Sequence, residues 1–306
     1  MSAIVVEAVS LSKRYGGRFA VKSLDIEVPE GSVYGLLGPN GAGKTTVLKL
    51  VTGLLRPTGG EVRLFGERWR RNHLKEVGAL IETPALYQHL TGRENLAVHT
   101  RLLGLPKRRI GEVLEQVDLE EAGRKKVSSY SLGMKQRLGI AVALVGEPSL
   151  LILDEPTNGL DPKGIREMRA LLHSFAQRGI TVVVSSHILA EVSQVVSHVG
   201  IISNGELRYQ GTLSDLVEKG QGRLELRTAR ADEALRIVRE RFPDADRQDN
   251  TLFVPVAEEE SAGLVAELSK EGIPINGVNY RRDDLESLFM RLTDREESGE
   301  RTEVKA

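Results

Sequence analysis

A glycine-rich stretch between a short apolar run and a helix-forming run carries the residues best suited to bind an anion. Glycine lets backbone N–H groups turn inward on phosphate oxygens, and the start of the following helix adds partial positive charge. Lys44 would place a point charge on the β- and γ-phosphates, and the Thr45 hydroxyl would ligate Mg²⁺. This spacing predicts a phosphate-binding loop that consists of Gly38, Pro39, Asn40, Gly41, Ala42, Gly43, Lys44, Thr45 and Thr46.

Two adjacent carboxylates form a second candidate site. Asp154 and Glu155 directly follow the apolar run Leu150–Leu153, a pattern that resembles Walker B. Asp154 would hold the magnesium ion, and Glu155 is placed to polarise an attacking water. The alternative is that Asp-Glu-Pro only ends a strand. The phosphate-binding loop upstream favours the catalytic interpretation.

The elements that must position these residues alternate between short β-branched runs and helical patterns, which predicts an α/β layered fold. Near-continuous apolar character is typical of strands in the middle of a parallel sheet. An Asn-Gly pair predicts a tight hairpin, because both turn positions need positive φ. The predicted strands are Ile4–Leu11, Phe19–Val28, Val33–Leu37, Leu150–Leu153 and Thr181–Ser185, with a helix over Thr45–Leu55 and a hairpin turn at Asn204-Gly205.

The chain is expected to contain two domains and a tail. Residues of about 84–145 read as helical, since Ile110, Val113, Leu114 and Val117 recur at i, i+3, i+4 and i+7. A composition change at Glu218–Gly222 reads as a linker. The expected divisions are a first domain at 1–217, a small α+β domain at 223–293, and a charged, disordered tail at 294–306.

Composition excludes several classes of function. The 306-residue chain contains no cysteine, so neither disulfides nor a zinc–thiolate site is possible. A net charge of −1 gives no case for nucleic-acid binding. No apolar run approaches the roughly 18–20 residues that span a bilayer, and the start lacks a signal-peptide pattern. We expect a cytoplasmic protein whose membrane role is exercised through a partner.

Over about residues 3–215 the chain resembles the nucleotide-binding subunit of an ATP-binding-cassette (ABC) transporter. The resemblance implies an antiparallel β subdomain, a RecA-like α/β core and a helical subdomain, with ATP and Mg²⁺ as ligands. It also implies further ATP contacts from Val21. The family's other marks are the adenine-stacking Tyr15, the signature segment Ser131-Leu132-Gly133-Met134, the D-loop Asn158-Gly159-Leu160-Asp161 and the switch histidine His187.

The same resemblance implies how the site works. Two cassettes, identical or not, sandwich two ATP molecules head to tail. Ser131 and Gly133 of one cassette clasp the γ-phosphate bound by the other, Asp161 lies in the loop that links the two sites, and His187 contacts the γ-phosphate. Closure drives a separate integral-membrane permease, so the subunit would be peripheral on the inner face of the cell membrane, without a nucleic-acid partner.

The chain departs from the family pattern at two places. Glu82 stands where most members carry a glutamine whose amide contacts Mg²⁺, and Leu132 and Met134 alter the signature. These features are similar to the branch that exports, or gives immunity to, bacitracin- and lantibiotic-type peptide antibiotics. The alternative is neutral variation within a general exporter ATPase. We hypothesise that Glu82 substitutes for the amide as a metal ligand.

Other interpretations stay open at this point. Leu86, Tyr87 and Leu90 form either an apolar permease-docking groove or part of the helical core. The C-terminal domain has a dimer-support or regulatory role, or only adds stability. A soluble ABC ATPase acting on DNA or ribosomes is disfavoured because no long heptad run separates Thr45 from Ser131. A nutrient importer with a regulatory domain would be expected to keep the glutamine.

Overall fold

The computed structural model describes residues 3–218, 222–282 and 285–294. Within these ranges the chain forms a first unit, which runs to Leu213 and takes in residues from Leu292 onward, and a second unit, Ser214–Arg291. The domain boundary expected at residue 217 falls within a helix, Leu213–Glu218. Most of the expected linker (219–221) and most of the expected disordered tail (295–306) lie outside the described residues.

The first unit contains two sheets with different burial patterns. In the second strand Leu24, Ile26 and Val28 are buried while the residues between them are exposed, as in a sheet with one solvated face. In the other sheet, the strands Val33–Leu37, Leu150–Leu153 and Thr181–Ser186 are buried at every position. The strands are β1 (Ile4–Tyr15), β2 (Arg18–Pro29), β3 (Val33–Leu37), β4 (Gly59–Leu64), β5 (Glu67–Arg68), β6 (Val77–Leu80), β7 (Leu150–Leu153), β8 (Thr181–Ser186), β9 (His198–Ser203) and β10 (Glu206–Thr212).

Helices of this unit flank and connect those strands. A run of 3-10 turns, at Arg71–Lys75, Ala122–Arg124 and Val127–Ser129, links some of them. The helices are α1 (Lys44–Val51), α2 (Gly92–Leu102), α3 (Arg108–Gln116), α4 (Leu132–Leu144), α5 (Pro162–Gln177), α6 (Leu189–Val192) and α7 (Leu213–Glu218), the last reaching into the second unit.

Sheet order places the chemistry-bearing loops side by side. The antiparallel sheet runs β2-β1-β4-β5 and the larger sheet runs β10-β9-β3-β8-β7-β6. Strands β9, β3, β8, β7 and β6 are parallel, and β10 returns antiparallel through the turn at Asn204 and Gly205, whose φ angles are +52° and +79°. Because β3, β8 and β7 are parallel neighbours, their carboxyl ends meet at one edge. The antiparallel subdomain and the α/β core agree with the expected cassette fold.

The strands and helix predicted around the phosphate-binding loop differ from the structure mainly in length. Strands β1 and β2 extend to Tyr15 and Pro29, since polar ends of antiparallel strands can stay hydrogen-bonded in water. Helix α1 stops at Val51, and Gly53 (φ +72°) follows, which is a common way to end a helix. The sequence analysis did not identify β4, whose two glycines weaken the strand pattern.

The second unit has its own core. Leu224, Leu226, Leu252 and Val254 alternate along its two central strands and pack with Val238 of the first helix. Its strand–helix–strand–strand–helix–strand order with sheet order β12-β13-β11-β14 is the split βαβ arrangement of ferredoxin-like folds. The elements are β11 (Gly222–Arg227), α8 (Ala231–Arg241), β12 (Asp246–Gln248), β13 (Thr251–Pro255), α9 (Glu258–Lys270), β14 (Gly277–Arg282) and α10 (Leu285–Asp294), α10 extending into the first unit.

Arg109 ties two helices of the helical region together. Its buried guanidinium donates to the carbonyl oxygens of Leu144 (2.9 Å) and Val145 (3.1 Å) at the end of α4. Those carbonyls have no partner within the helix, so an arginine there completes their hydrogen bonds and favours the negative end of the helix dipole.

We predict that Arg109→Met lowers the free energy of unfolding by about 1–3 kcal/mol, because it leaves the Val145 carbonyl without a donor and the Leu144 carbonyl with only the Glu147 N–H. Arg108→Met is the matched control, since Arg108 is largely exposed and its ion pair with Glu112 is long, at 3.8 Å. Urea unfolding of both variants measures the difference. Equal stability of the two variants would contradict the prediction.

Candidate functional site

Two glycines let the phosphate-binding loop lie directly against neighbouring backbone. A Cβ on Gly38 would lie 2.2 Å from the carbonyl oxygen of Ile202, and one on Gly43 would lie 2.4 Å from that of Ala20. Gly43 also has φ +106°, a conformation that other residues rarely adopt. The loop therefore needs glycine at both positions for steric reasons that hold before any ligand is considered.

The β9–β10 turn supports this loop from behind. Gly205 N–H donates to the carbonyl of Ala42 (3.0 Å), and Lys22 N–H donates to the carbonyl of Gly205 (2.8 Å). Val21 was expected among the ATP contacts, but its side chain is fully buried, with Cγ2 only 3.5 Å from where a Gly43 Cβ would lie. Val21 packs against the loop at Gly43, and its contact with ATP stays a prediction.

Lys44 lies inside the loop with its charge compensated. It is only 5% exposed, and its ammonium donates to the carbonyls of Gly38 (2.7 Å) and Pro39 (3.2 Å). Its nitrogen is also 3.2 Å from Glu155 Oε1. A buried ammonium without such partners would be strongly destabilising. By contrast Pro39, Asn40 and Gly41 are exposed on the rim, and Thr46 is half-buried in the first turn of α1.

Asp154 is bound from two sides. Thr45 Oγ1 donates to Asp154 Oδ2 at 2.9 Å, and Ser185 Oγ donates to Asp154 Oδ1 at 2.6 Å. Ser185 in turn accepts from Glu155 N–H at 2.9 Å. The sequence analysis assigned Ser185 only to a strand. The role of Ser185 follows from the parallel pairing of β7 with β8, which places the residues after Leu153 beside Ser185.

The donor chemistry at Thr45 and Asp154 fits a magnesium ion. Both groups offer oxygen, and Mg²⁺ is usually bound in proteins through one or two carboxylates together with waters and substrate phosphates. In the described ranges no group of three or more His, Cys, Asp or Glu side chains is arranged to hold a metal. That finding is compatible with a cation site that relies on the nucleotide for the rest of its ligands.

Glu155 connects the loop lysine to the histidine after β8. His187 Nδ1 is 2.7 Å from Glu155 Oε2, and the other carboxylate oxygen faces Lys44. An ionised carboxylate only accepts, so the imidazole donates here. Glu155 has φ +48°, and strained backbone of this kind persists where the surrounding structure enforces it. Lys44, Thr45, Asp154, Glu155 and His187 thus form one cluster.

Glu82 does not join that cluster. Its carboxylate is 63% exposed and lies 2.5 Å from the ammonium of Lys49, which follows Thr45 by one turn of α1. The Glu82 carboxylate, through this hydrogen bond, raises the pKa of Lys49. The contact that the structure gives the Glu82 carboxylate is this pair with Lys49. The expectation that Glu82 replaces the amide as a metal ligand stays a prediction.

Tyr15 and the signature segment present separate surfaces. The Tyr15 ring is half exposed, and the Lys13 ammonium lies 5.3 Å from its centroid. Ser131 caps α4, accepting from Met134 N–H at 3.3 Å, and Asp161 caps α5, accepting from Gly164 N–H at 2.8 Å. A cavity of about 450 Å³ is lined by signature and D-loop residues, among them Ser131, Leu132, Gly133, Leu160 and Asp161.

A family match and two similar proteins agree with one another. The family described as "ABC transporter" matches residues 21–158. The bacitracin transport ATP-binding protein BcrA of Bacillus licheniformis is 41% identical over 296 residues, covering 94% of this chain and 97% of BcrA. The lantibiotic transport ATP-binding protein SrtF of Streptococcus pyogenes is 45% identical over 198 residues, covering 65% of this chain and 86% of SrtF.

A solved structure extends the comparison to an assembled state. The ATP-binding cassette MJ0796, in a dimeric post-hydrolysis state bound to ADP and Pi, superimposes with a TM-score of 0.61 and 26% identity. The match covers 68% of this chain and 98% of that cassette. Among the described residues, no helix is both long and apolar enough to cross a membrane.

We predict that Ser185→Ala slows ATP hydrolysis about tenfold, because it removes one hydrogen bond from the Asp154 carboxylate and one from the Glu155 backbone. Nucleotide affinity should change little, since the phosphate-binding loop is untouched. Ser186→Ala is the control, because its hydroxyl bonds within its own turn, to Ile188. Steady-state ATPase assays and nucleotide titrations distinguish the two. Equal rates for both variants would contradict a role for Ser185.

Proposed function

The chain belongs to the family of ATP-binding, ATP-hydrolysing subunits of ABC transporters, and from this we propose that it energises a separate permease that exports, or gives resistance to, a peptide antibiotic or another hydrophobic compound. The observation that carries the proposal is the match to BcrA, which spans nearly the whole of both chains and includes the C-terminal unit. The match to SrtF supports the same class of cargo.

Within the site, the cluster geometry supports a distinct role for each residue. Backbone N–H groups of Asn40, Gly41 and Gly43 and the Lys44 ammonium bind the β- and γ-phosphates of ATP. Glu155 orients and polarises the water that attacks the γ-phosphorus in line. His187 donates to Glu155 in the structure, and this contact holds the carboxylate beside the position that the γ-phosphate takes. Tyr15 offers its exposed ring to the adenine.

Thr45 and Asp154 would hold the cation. When bound, Mg²⁺ offsets the negative charge that develops on the transferred phosphoryl group. Ser185 fixes the Asp154 carboxylate from the opposite side, so that Oδ2 stays directed at Thr45. The chain's own contribution is thus to orient two oxygen donors before the nucleotide arrives, which lowers the cost of assembling the site.

The complete site requires a second cassette. Members of the family dimerise, and the structural relative bound to ADP and Pi is a dimer. We infer that Ser131 and Gly133, at the positive end of α4, clasp the γ-phosphate bound by the opposite cassette. Asp161 anchors the D-loop by capping α5. The partner cassette is a second copy of this chain or a related one.

The segment Pro84–Leu90, called here the docking segment, supports a contact with the permease. The Tyr87 ring is 49% exposed, whereas Leu86 and Leu90 are half-buried. The buried Asn95 holds the backbone of Tyr87, accepting from its N–H at 2.8 Å and donating to its carbonyl at 3.1 Å. A fixed backbone with an exposed aromatic ring suits docking better than core packing. The subunit is then peripheral on the inner face of the membrane.

The test is to recover the Glu155→Gln variant with ATP from gently solubilised native membranes. Without the water-polarising carboxylate, the ATP-closed dimer should persist with its partner. A multi-span membrane protein in fixed ratio is the expected result, with Lys44→Ala as the control that cannot close on ATP. Recovery of a ribosomal or DNA-bound partner, or of a soluble dimer alone, would overturn the proposal.

Cargo is tested in cells that lack the recovered permease and this chain. Restoring both should raise the minimal inhibitory concentration of bacitracin or a lantibiotic severalfold, whereas restoring the permease with Glu155→Gln should not. A rise with the inactive variant would contradict energised export. No change for either class of peptide would exclude peptide antibiotics as the cargo. The assignment as an ATPase subunit would be unaffected.

We predict that Tyr87→Asp abolishes transport-coupled resistance while the ATPase activity of the detached subunit stays within about twofold, since the ring faces solvent and exposed substitutions rarely affect folding. Leu102→Asp is the control, because Leu102 is also exposed and lies on the neighbouring helix α2. Combined loss of ATPase activity and of unfolding stability in Tyr87→Asp would assign the ring to the core instead.

A further inference from the structure

An ion pair joins two segments that flank the nucleotide site. Lys49 lies on α1, one turn beyond Thr45, and Glu82 lies two residues beyond the end of β6. Their charged atoms are 2.5 Å apart. Backbone hydrogen bonding brings this loop close to the cluster, since Asp154 N–H donates to the carbonyl of Leu80 at 2.8 Å. The pair therefore links the loop after β6 to the helix that binds phosphate.

The same loop is held on its other side by α4. A Cβ on Gly139 would lie 2.8 Å from Pro84 Cβ, so the proline ring packs directly on the helix backbone. Helix α4 is the one that Ser131 caps. The loop thus contacts α1 through a charge pair and α4 through a close apolar contact. The loop therefore connects α1 with the helix that begins at the signature segment.

Charge balance gives the pair a second consequence. The site already contains the Asp154 and Glu155 carboxylates, and ATP adds several negative charges. A third free carboxylate beside them would repel the triphosphate. The hydrogen bond from Lys49 to Glu82, together with a smaller attraction to Asp154, raises the pKa of Lys49. The lysine offsets the charge that Glu82 introduces where a neutral amide is usual.

We propose that Lys49 and Glu82 form a charge-based latch, which holds the loop Ile81–Pro84 on the phosphate-binding helix and keeps the Glu82 carboxylate away from the cation. The inference rests on the proposed function, because it takes α1 and Asp154 as parts of an ATP and magnesium site. Lys49 is a positioning residue in this account, since it acts through Glu82 and touches neither nucleotide nor cation.

The first test measures amide hydrogen exchange over residues 81–90 in the full chain. Lys49→Met and Glu82→Gln should each speed exchange about two- to fivefold, the range expected for an exposed ion pair. The double variant should exchange no faster than either single variant, and the swap Lys49→Glu with Glu82→Lys should restore protection. Lys163→Met is the control, since it removes a lysine whose carboxylate partner, Glu167, is 3.7 Å away. Additive single effects, or unchanged exchange, would overturn the latch.

Ionic strength adds a readout that a packing role would not move. Raising salt from about 0.05 M to about 0.5 M screens exposed charges. The amides of residues 81–90 should therefore lose protection against hydrogen exchange in the wild type, whereas their protection in the Lys49→Met variant should not change. Protection of the wild type that is independent of salt would contradict a charge-based contact.

The second test uses Mn²⁺ as a spectroscopic probe in the Glu155→Gln background with ATP. If Glu82 is kept off the cation, adding Glu82→Ala, which leaves no side-chain oxygen at this position, should leave the Mn²⁺ affinity measured by electron paramagnetic resonance within about twofold. A tenfold loss, about 1.4 kcal/mol, would show Glu82 to be a ligand and would overturn the proposal. Failure of the proposed function would give a different result from failure of the latch. A chain with Glu82 and Lys49 intact would then fail to bind ATP or Mn²⁺.

Discussion

Burial of opposite charges at the carboxyl edge of one parallel sheet is the constraint on which the rest of the molecule depends. Lys44 and Asp154 are each only 5% exposed, and neither could be ionised there without partners. Their partners come from different strands and loops: Gly38 and Pro39 after β3, Thr45 on α1, and Ser185 in β8. Strands β3, β8 and β7 must therefore end level with one another, which their parallel register achieves.

That requirement explains why the surrounding sheets are built as they are. Strands β3, β7 and β8 are buried throughout, and the side chains that form the site come at or just after their carboxyl ends. The first polar residues after β7 are the two carboxylates. The β9–β10 turn then supports the phosphate-binding loop, because Gly205 binds both Ala42 and Lys22. Both the position of the charges and the close packing of the loop follow from backbone geometry, with side chains adding the chemistry.

Features with a local cause were predictable from the sequence, and features that depend on distant partners were not. Glycines at 38 and 43, the run before Asp154 and the Asn204-Gly205 turn each carry their signal within a few residues. Ser185 has no such signal, because its role depends on β8 lying beside β7. Val21 was expected at the site only from the family resemblance, and in the structure its side chain is buried against the loop. Strand β12 was absent from the prediction because it is short and fully exposed, and so lacks an apolar alternation.

Two of the acidic residues with left-handed backbone, Glu155 and Glu82, show why a carboxylate's partner decides its role. Glu155 (φ +48°) and Glu82 (φ +62°) both follow parallel strands, β7 and β6, and both face a lysine of the α1 region. The Glu155 pair includes an almost fully buried lysine, where salt screens little. The Glu82 pair is open to water, where attraction falls within a Debye length of about 8 Å at physiological salt. The Lys44–Glu155 pair is therefore suited to hold catalytic groups in fixed positions. The Lys49–Glu82 pair is suited to a contact that its surroundings can weaken. A glutamine at residue 82 could not provide that sensitivity, since an amide has no net charge to screen.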